Sequence, residues 1–89
     1  MREISISPSL RSKFRRLQKK DTKLLQKIRK QIKLFSTNPK HPSLRVHKLE
    51  GNLKSVWSLS VTMNIRLLFV EDSTYYFFDM GTHDQVYKK

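Results

Sequence analysis

The chain has 89 residues, no cysteine, and 19 Lys and Arg against 7 Asp and Glu, a net charge of +12. That length holds one domain, residues 1–89, with a small core. The lack of cysteine excludes disulfides, thiolate metal sites and a cysteine nucleophile, and fits a reducing cytoplasm.

Glu3-Ile4-Ser5-Ile6-Ser7 alternates polar and apolar, as a half-buried strand does. Ser7-Pro8 opens a helix: serine is a good N-cap, and proline suits the first helical position, where its missing N–H has no partner to lose. Leu10, Phe14 and Leu17 then line one apolar stripe. Asp21 is the next N-cap. Leu25, Ile28, Ile32 and Phe35 share the inner face of a second helix, which Asn38-Pro39 ends. The two helices form a hairpin around Lys19 to Asp21.

Lys40 to Ser43 reads as a loop, and the period then changes to two. Leu44 to Leu49 is a short strand closed by Glu50-Gly51-Asn52. Val56 to Val61 places Trp57, Leu59 and Val61 on one face, with Trp57 in the core. Thr62-Met63-Asn64 is a turn. Ile65, Leu67 and Phe69 repeat the inward pattern, Glu71-Asp72-Ser73 turns the chain, and Tyr75 to Met80 is the last strand. Short connections predict an antiparallel meander. The order condenses to β-α-α-β-β-β, an α+β fold with the helix hairpin on one face of a small antiparallel sheet.

Fifteen of the Lys and Arg residues lie between Arg2 and Lys48, opposed there only by Glu3 and Asp21. Solubility does not require so lopsided a balance. It points to a polyanion or an acidic protein partner. With no apolar leader and no stretch near the roughly 18 residues of a membrane span, a soluble cytoplasmic protein without a membrane partner is expected.

The chemistry left to such a chain is narrow. His41, His47 and His83 are scattered, without metal-ligand spacing. Gly51 and Gly81 are the only glycines, so there is no glycine-rich phosphate loop. No carboxylates are paired, and no metal or cofactor is expected. Arg66 interrupts an apolar strand and points away from the helices. Its planar fork suits a phosphate, or it forms a salt bridge to Asp79 or Glu50. His47, Lys54 and Asn64 fall near strand ends around the same face, which the pattern leaves open. His83 is either an ordinary turn histidine or a proton carrier near neutral pH, and His41 is an ordinary loop residue. Histidine, arginine, lysine and tyrosine together can cleave RNA without a metal: a base takes the 2′-hydroxyl proton, cations neutralise the phosphate and an acid protonates the 5′-oxygen.

Val46-His47-Lys48-Leu49-Glu50-Gly51, Lys54-Ser55-Val56-Trp57-Ser58, Asn64-Ile65-Arg66-Leu67-Leu68-Phe69 and the ending Gly81-Thr82-His83-Asp84-Gln85-Val86-Tyr87 resemble the RelE/ParE toxin superfamily, nearest the YafQ-type ribosome-dependent mRNA endonucleases. The resemblance covers almost the whole chain. It implies a type II toxin, monomeric when free and silenced in a hetero-oligomer by an acidic antitoxin, that cleaves mRNA in the ribosomal A site. It also implies a catalytic set. His83 corresponds to the C-terminal acid/base histidine and Tyr87 to the aromatic residue four positions on. His47 matches the histidine opening the Leu-x-Gly strand, and Arg66 the phosphate-facing arginine. Lys54, Asn64, Arg45 and Lys48 complete the expected set as substrate contacts. Ser60 and Asn64 stand where YafQ-type proteins have a histidine and an aspartate. Two rival readings stay open: a ParE-like poison of DNA gyrase, and a decayed module that only binds antitoxin or nucleic acid.

Overall fold

Two basic helices cover one face of a five-stranded sheet. The computed structural model describes residues 3–49 and 55–87. Strand β1 (Ile4–Ile6) leads into α1 (Pro8–Lys20) and α2 (Thr22–Thr37), followed by a single 3₁₀ turn, Pro42–Leu44. Strands β2 (His47–Lys48), β3 (Trp57–Ser60), β4 (Ile65–Glu71) and β5 (Tyr75–Thr82) follow, then a short helix α3 (His83–Tyr87). The sheet order is β1-β5-β4-β3-β2.

The caps form as the sequence predicts. Ser7 Oγ accepts the Leu10 N–H at 3.1 Å with Pro8 in the first turn, and Asp21 Oδ1 accepts the Leu24 N–H at 3.1 Å. Each satisfies a backbone donor that a helix N-terminus leaves unpaired. Ser7 also ties α1 to the sheet: its N–H donates to the Phe77 carbonyl at 2.9 Å and its hydroxyl to the Phe78 carbonyl at 3.2 Å.

The meander β2-β3-β4-β5 is antiparallel, and β1 adds to it in parallel beside β5, Ile6 pairing with Phe77. The meander thus has one strand more than the condensed order. Facing residues on neighbouring strands share a side of the sheet. Trp57, Phe69 and Phe77 form one row on the helix side, and Leu59, Leu67 and Met80 the next. Leu10, Ile28 and Phe35 from the helices and Leu44 from the 3₁₀ turn close this core. Phe35 packs on Phe69, Tyr75 and Phe77 with ring centroids 5.0, 4.7 and 5.7 Å away. Between Leu68 and Phe69 the register shifts: Leu68 faces Asp79 and Phe69 faces Phe77, which leaves Phe78 as the extra residue of a bulge.

Three expectations change. The strand read over Leu44–Leu49 keeps only His47–Lys48: Leu44 is buried in the 3₁₀ turn, and Arg45 sits in the left-handed region at φ 46°, which extended pairing excludes. The last strand runs two residues past Met80 and feeds a helix instead of a turn. The outer face is not open around its middle rows, since Ser58, Ser60 and Arg66 are buried. The turn read over Glu50–Asn52 lies outside the described residues. No helix among those described is long and apolar enough to cross a membrane.

Candidate active site

The last rungs of the sheet and the first turn of α3 build one corner of the outer face. Ser60, Arg66 and Gly81 form a row across β3, β4 and β5. A Cβ at Gly81 would stand 3.0 Å from Gln85 Oε1 and 3.6 Å from Val86 Cγ2, so α3 lies over this glycine on the side that carries Arg66. A side chain there would press on Gln85, which would have to give by a few tenths of an ångström.

The start of α3 is set locally. Thr82 Oγ1 accepts the Gln85 N–H at 3.1 Å, and Gln85 Oε1 accepts the Thr82 N–H at 2.8 Å, a reciprocal capping box. His83 is therefore the first helical residue. Its backbone N–H donates to the Asn64 carbonyl at 2.6 Å, one step beyond the Ile65–Thr82 pair. Its side chain is 51% exposed, and Nδ1 lies 3.8 Å from Asp84 Oδ1, too far for a hydrogen bond. So exposed a pair adds little stability.

Arg66 is 7% exposed. Its Nη1 donates to the Thr62 carbonyl at 2.6 Å and the Ile65 carbonyl at 3.3 Å. Among the described residues it makes no carboxylate pair: Asp79 is taken by Lys13 Nζ at 2.6 Å, and Glu50 lies outside them. The guanidinium is held by the backbone of the turn between β3 and β4. That turn is itself fixed, because Thr62 Oγ1 accepts the N–H groups of Asn64 at 3.2 Å and Ile65 at 3.0 Å. Ser60 Oγ adds a second bond to the Thr62 carbonyl at 3.0 Å, and Gln31 Nε2 of α2 donates to the Ser60 carbonyl at 2.9 Å.

The remaining site residues are spread around this corner. His47 faces Ser58, on the same side of the sheet as Arg66. The two lie two strands and one repeat apart, about 12 Å along the sheet at ordinary strand spacing. The Arg45 carbonyl, 3.1 Å from His47 Nδ1, can only accept, so Nδ1 carries the proton and Nε2 is the basic nitrogen of the neutral ring. Lys48 pairs with Trp57 and so belongs to the opposite face. Arg45 is exposed at the edge of the 3₁₀ turn. Asn64 joins the site through its carbonyl. Lys54 lies outside the described residues, and so does the Tyr87 side chain, although Tyr87 closes α3 one helical turn after His83. His41 is structural: its Nδ1 accepts the Ser43 N–H at 3.1 Å and caps the 3₁₀ turn. Among the described residues no three His, Asp or Glu are grouped to hold a metal ion.

Sequence reasoning passed over Thr62, Thr82 and Gln85. The spacing Thr82-x-x-Gln85 carries the capping signal in plain form. The part played by Thr62 depends on a turn whose carbonyl meets a side chain four residues on, and no local pattern announces that.

No protein-family model matches the chain. A Methanocaldococcus jannaschii protein named as toxin RelE4 is 35% identical over 92 residues, spanning all of this chain and 94% of its own. In the Escherichia coli DinJ–YafQ toxin–antitoxin complex, one chain is 26% identical with a TM-score of 0.73, covering 97% of both chains. The YoeB dimer of Staphylococcus aureus shares the fold, with a TM-score of 0.71 over 92% of this chain and 97% of its own at 23% identity.

Proposed function

The chain belongs to the RelE/ParE toxin superfamily, and from that premise we propose that it is the toxin of a toxin–antitoxin system and cleaves mRNA on the ribosome. One observation carries the enzymatic reading: the end of the β4–β5 ladder brings the half-exposed His83 and the buried Arg66 to the same corner, both fixed through the backbone of one turn. A proton carrier and a fixed cation held on one turn suit RNA transesterification.

In this reading a base removes the proton of a ribose 2′-hydroxyl, and the 2′-oxygen attacks the adjacent phosphorus. The bond to the 5′-oxygen breaks, and that oxygen leaves with a proton from an acid. His83 serves as acid or base. Arg66 stabilises the charge on the pentacoordinate phosphate, and its burial strengthens the attraction by lowering the local dielectric. His47, about 12 Å from Arg66 by strand spacing, acts with Lys54 on a neighbouring part of the strand. Tyr87 stacks on a base or contributes a proton. Asn64 and Arg45 flank the substrate path, while Lys48, on the other face, contributes charge alone. The cations of α1 and α2 serve ribosomal RNA or an acidic antitoxin. The toxin is a monomer when free and a hetero-oligomer with its antitoxin, acting in the cytoplasm where ribosomes are.

Primer extension on mRNA bound to programmed ribosomes tests the proposal. Cuts that need the ribosome are the expected result. Intact mRNA on those ribosomes refutes it, and broken chromosomal DNA beside intact mRNA would shift the assignment to gyrase. Arg66→Lys keeps the charge and loses the fork. It is expected to lower the single-turnover rate by roughly 10²–10³-fold, the scale on which removal of one preorganised donor is felt. A rate within a few-fold of wild type would remove Arg66 from the mechanism.

A further inference from the structure

We infer that Thr62 is a positioning residue, the pin of a turn that sets the proposed acid/base and phosphate-binding groups relative to each other. Its carbonyl receives Arg66 Nη1 at 2.6 Å, while its hydroxyl holds the N–H groups of Asn64 and Ile65. The Asn64 carbonyl, aimed by that arrangement, receives the His83 N–H at 2.6 Å. Between Arg66 and His83 there are thus only two hydrogen bonds and the three-residue span Thr62–Asn64. Ser60 Oγ braces the turn from β3, and Gln31 Nε2 of α2 holds Ser60 through its carbonyl.

The inference rests on the catalytic roles proposed above for His83 and Arg66, but its geometry can be tested without them. Thr62 needs no contact with RNA. Its hydroxyl has no other hydrogen-bond partner among the described residues, so its work is to shape the turn. Without it, two backbone N–H groups lose their acceptor and the Asn64 carbonyl is free to rotate away from His83. A small displacement of a catalytic group is costly, because a shift near 1 Å can lower a rate by roughly 10²-fold.

The experiment compares Thr62→Val, which keeps the shape and removes the hydroxyl, with Thr62→Ser, which restores it. On programmed ribosomes Thr62→Val is expected to lower kcat by roughly 10- to 100-fold with KM unchanged, and Thr62→Ser to stay near wild type. In the full-length protein, the His83 amide should exchange with solvent roughly tenfold faster in Thr62→Val only, the factor matching the net worth of one hydrogen bond. Should Thr62→Val fail to fold, Gln31→Met removes the brace from α2 and carries the same expectation for exchange. Equal His83 exchange in wild type and Thr62→Val overturns the positioning role, whatever happens to the rate. If wild type itself cut no mRNA, the enzymatic reading would fall, while the exchange comparison would still decide whether the pin exists.

Discussion

His83→Ala is expected to lower ribosome-dependent cleavage by roughly 10²–10⁴-fold, the usual worth of a positioned acid or base, and to leave antitoxin affinity within about twofold, less than the net worth of a typical hydrogen bond. The separation follows from the structure. The ring is half exposed, so its removal opens no cavity. The bond to Asn64 uses the backbone N–H, which alanine keeps, and the Thr82–Gln85 cap needs no imidazole. The variant should therefore fold with α3 in place and lose proton transfer. Primer extension gives the rate, and titration with the cognate antitoxin gives the affinity. A variant that still cuts at near wild-type rate would transfer the acid/base role to another residue, His47 being first in line. Equal loss of both properties would mean that the imidazole holds the fold.

Phe35→Ala is expected to destabilise the fold by about 3–5 kcal/mol. Phe35 is 2% exposed and is the point where α2 meets Phe69, Tyr75 and Phe77. A chain of this length has about 4–13 kcal/mol of stability in all, so the variant should lose a large fraction of it and unfold at a much lower urea concentration. Urea unfolding followed by circular dichroism measures the loss. Met63→Ala, at a turn tip 91% exposed, is the matched control and should shift stability by no more than about 0.5 kcal/mol. A loss under about 1.5 kcal/mol for Phe35→Ala would mean that the aromatic neighbours collapse into the space.

Local chemistry explains which parts of this architecture could be read from the residues. The starts of both long helices were legible because Ser7-Pro8 and Asp21 act within one turn of themselves. The inward rows of β3 and β4 were legible because strand periodicity is two. The parallel pairing of Ile6 with Phe77 was not, since it joins residues about seventy positions apart that carry no mark of each other. The strand over Leu44–Leu49 failed at Arg45, whose left-handed backbone is not written in its side chain. At the site, the residue types were legible and their surroundings were not. Arg66 announced itself as a cation in an apolar strand, yet its burial and its backbone partners depend on a turn and on α3 meeting over Gly81. Charge and residue types pointed to an acidic or polyanionic partner and to metal-free RNA chemistry, and family resemblance narrowed these to an expected antitoxin and ribosome-bound mRNA; periodicity carried none of it.

The bulge at Phe78 has a consequence for the whole C-terminal end. In a regular strand Phe77, Asp79 and Gly81 would all project toward the helices. One surplus residue resets the alternation, so Met80 rejoins the core and Gly81 falls beside Arg66. The tail that carries His83 is delivered to the outer face by a count of one. The strand behaves as two rulers joined out of phase, one measuring the core and the other the corner that carries Arg66 and the start of α3. Substitutions in Tyr75–Phe77 would alter packing and leave that corner in place. Deleting Phe78 alone would leave a regular strand that still sets Gly81 opposite Arg66, whereas keeping Phe78 in an unbulged strand would turn Gly81 toward the helices and carry the corner to the wrong side of the sheet.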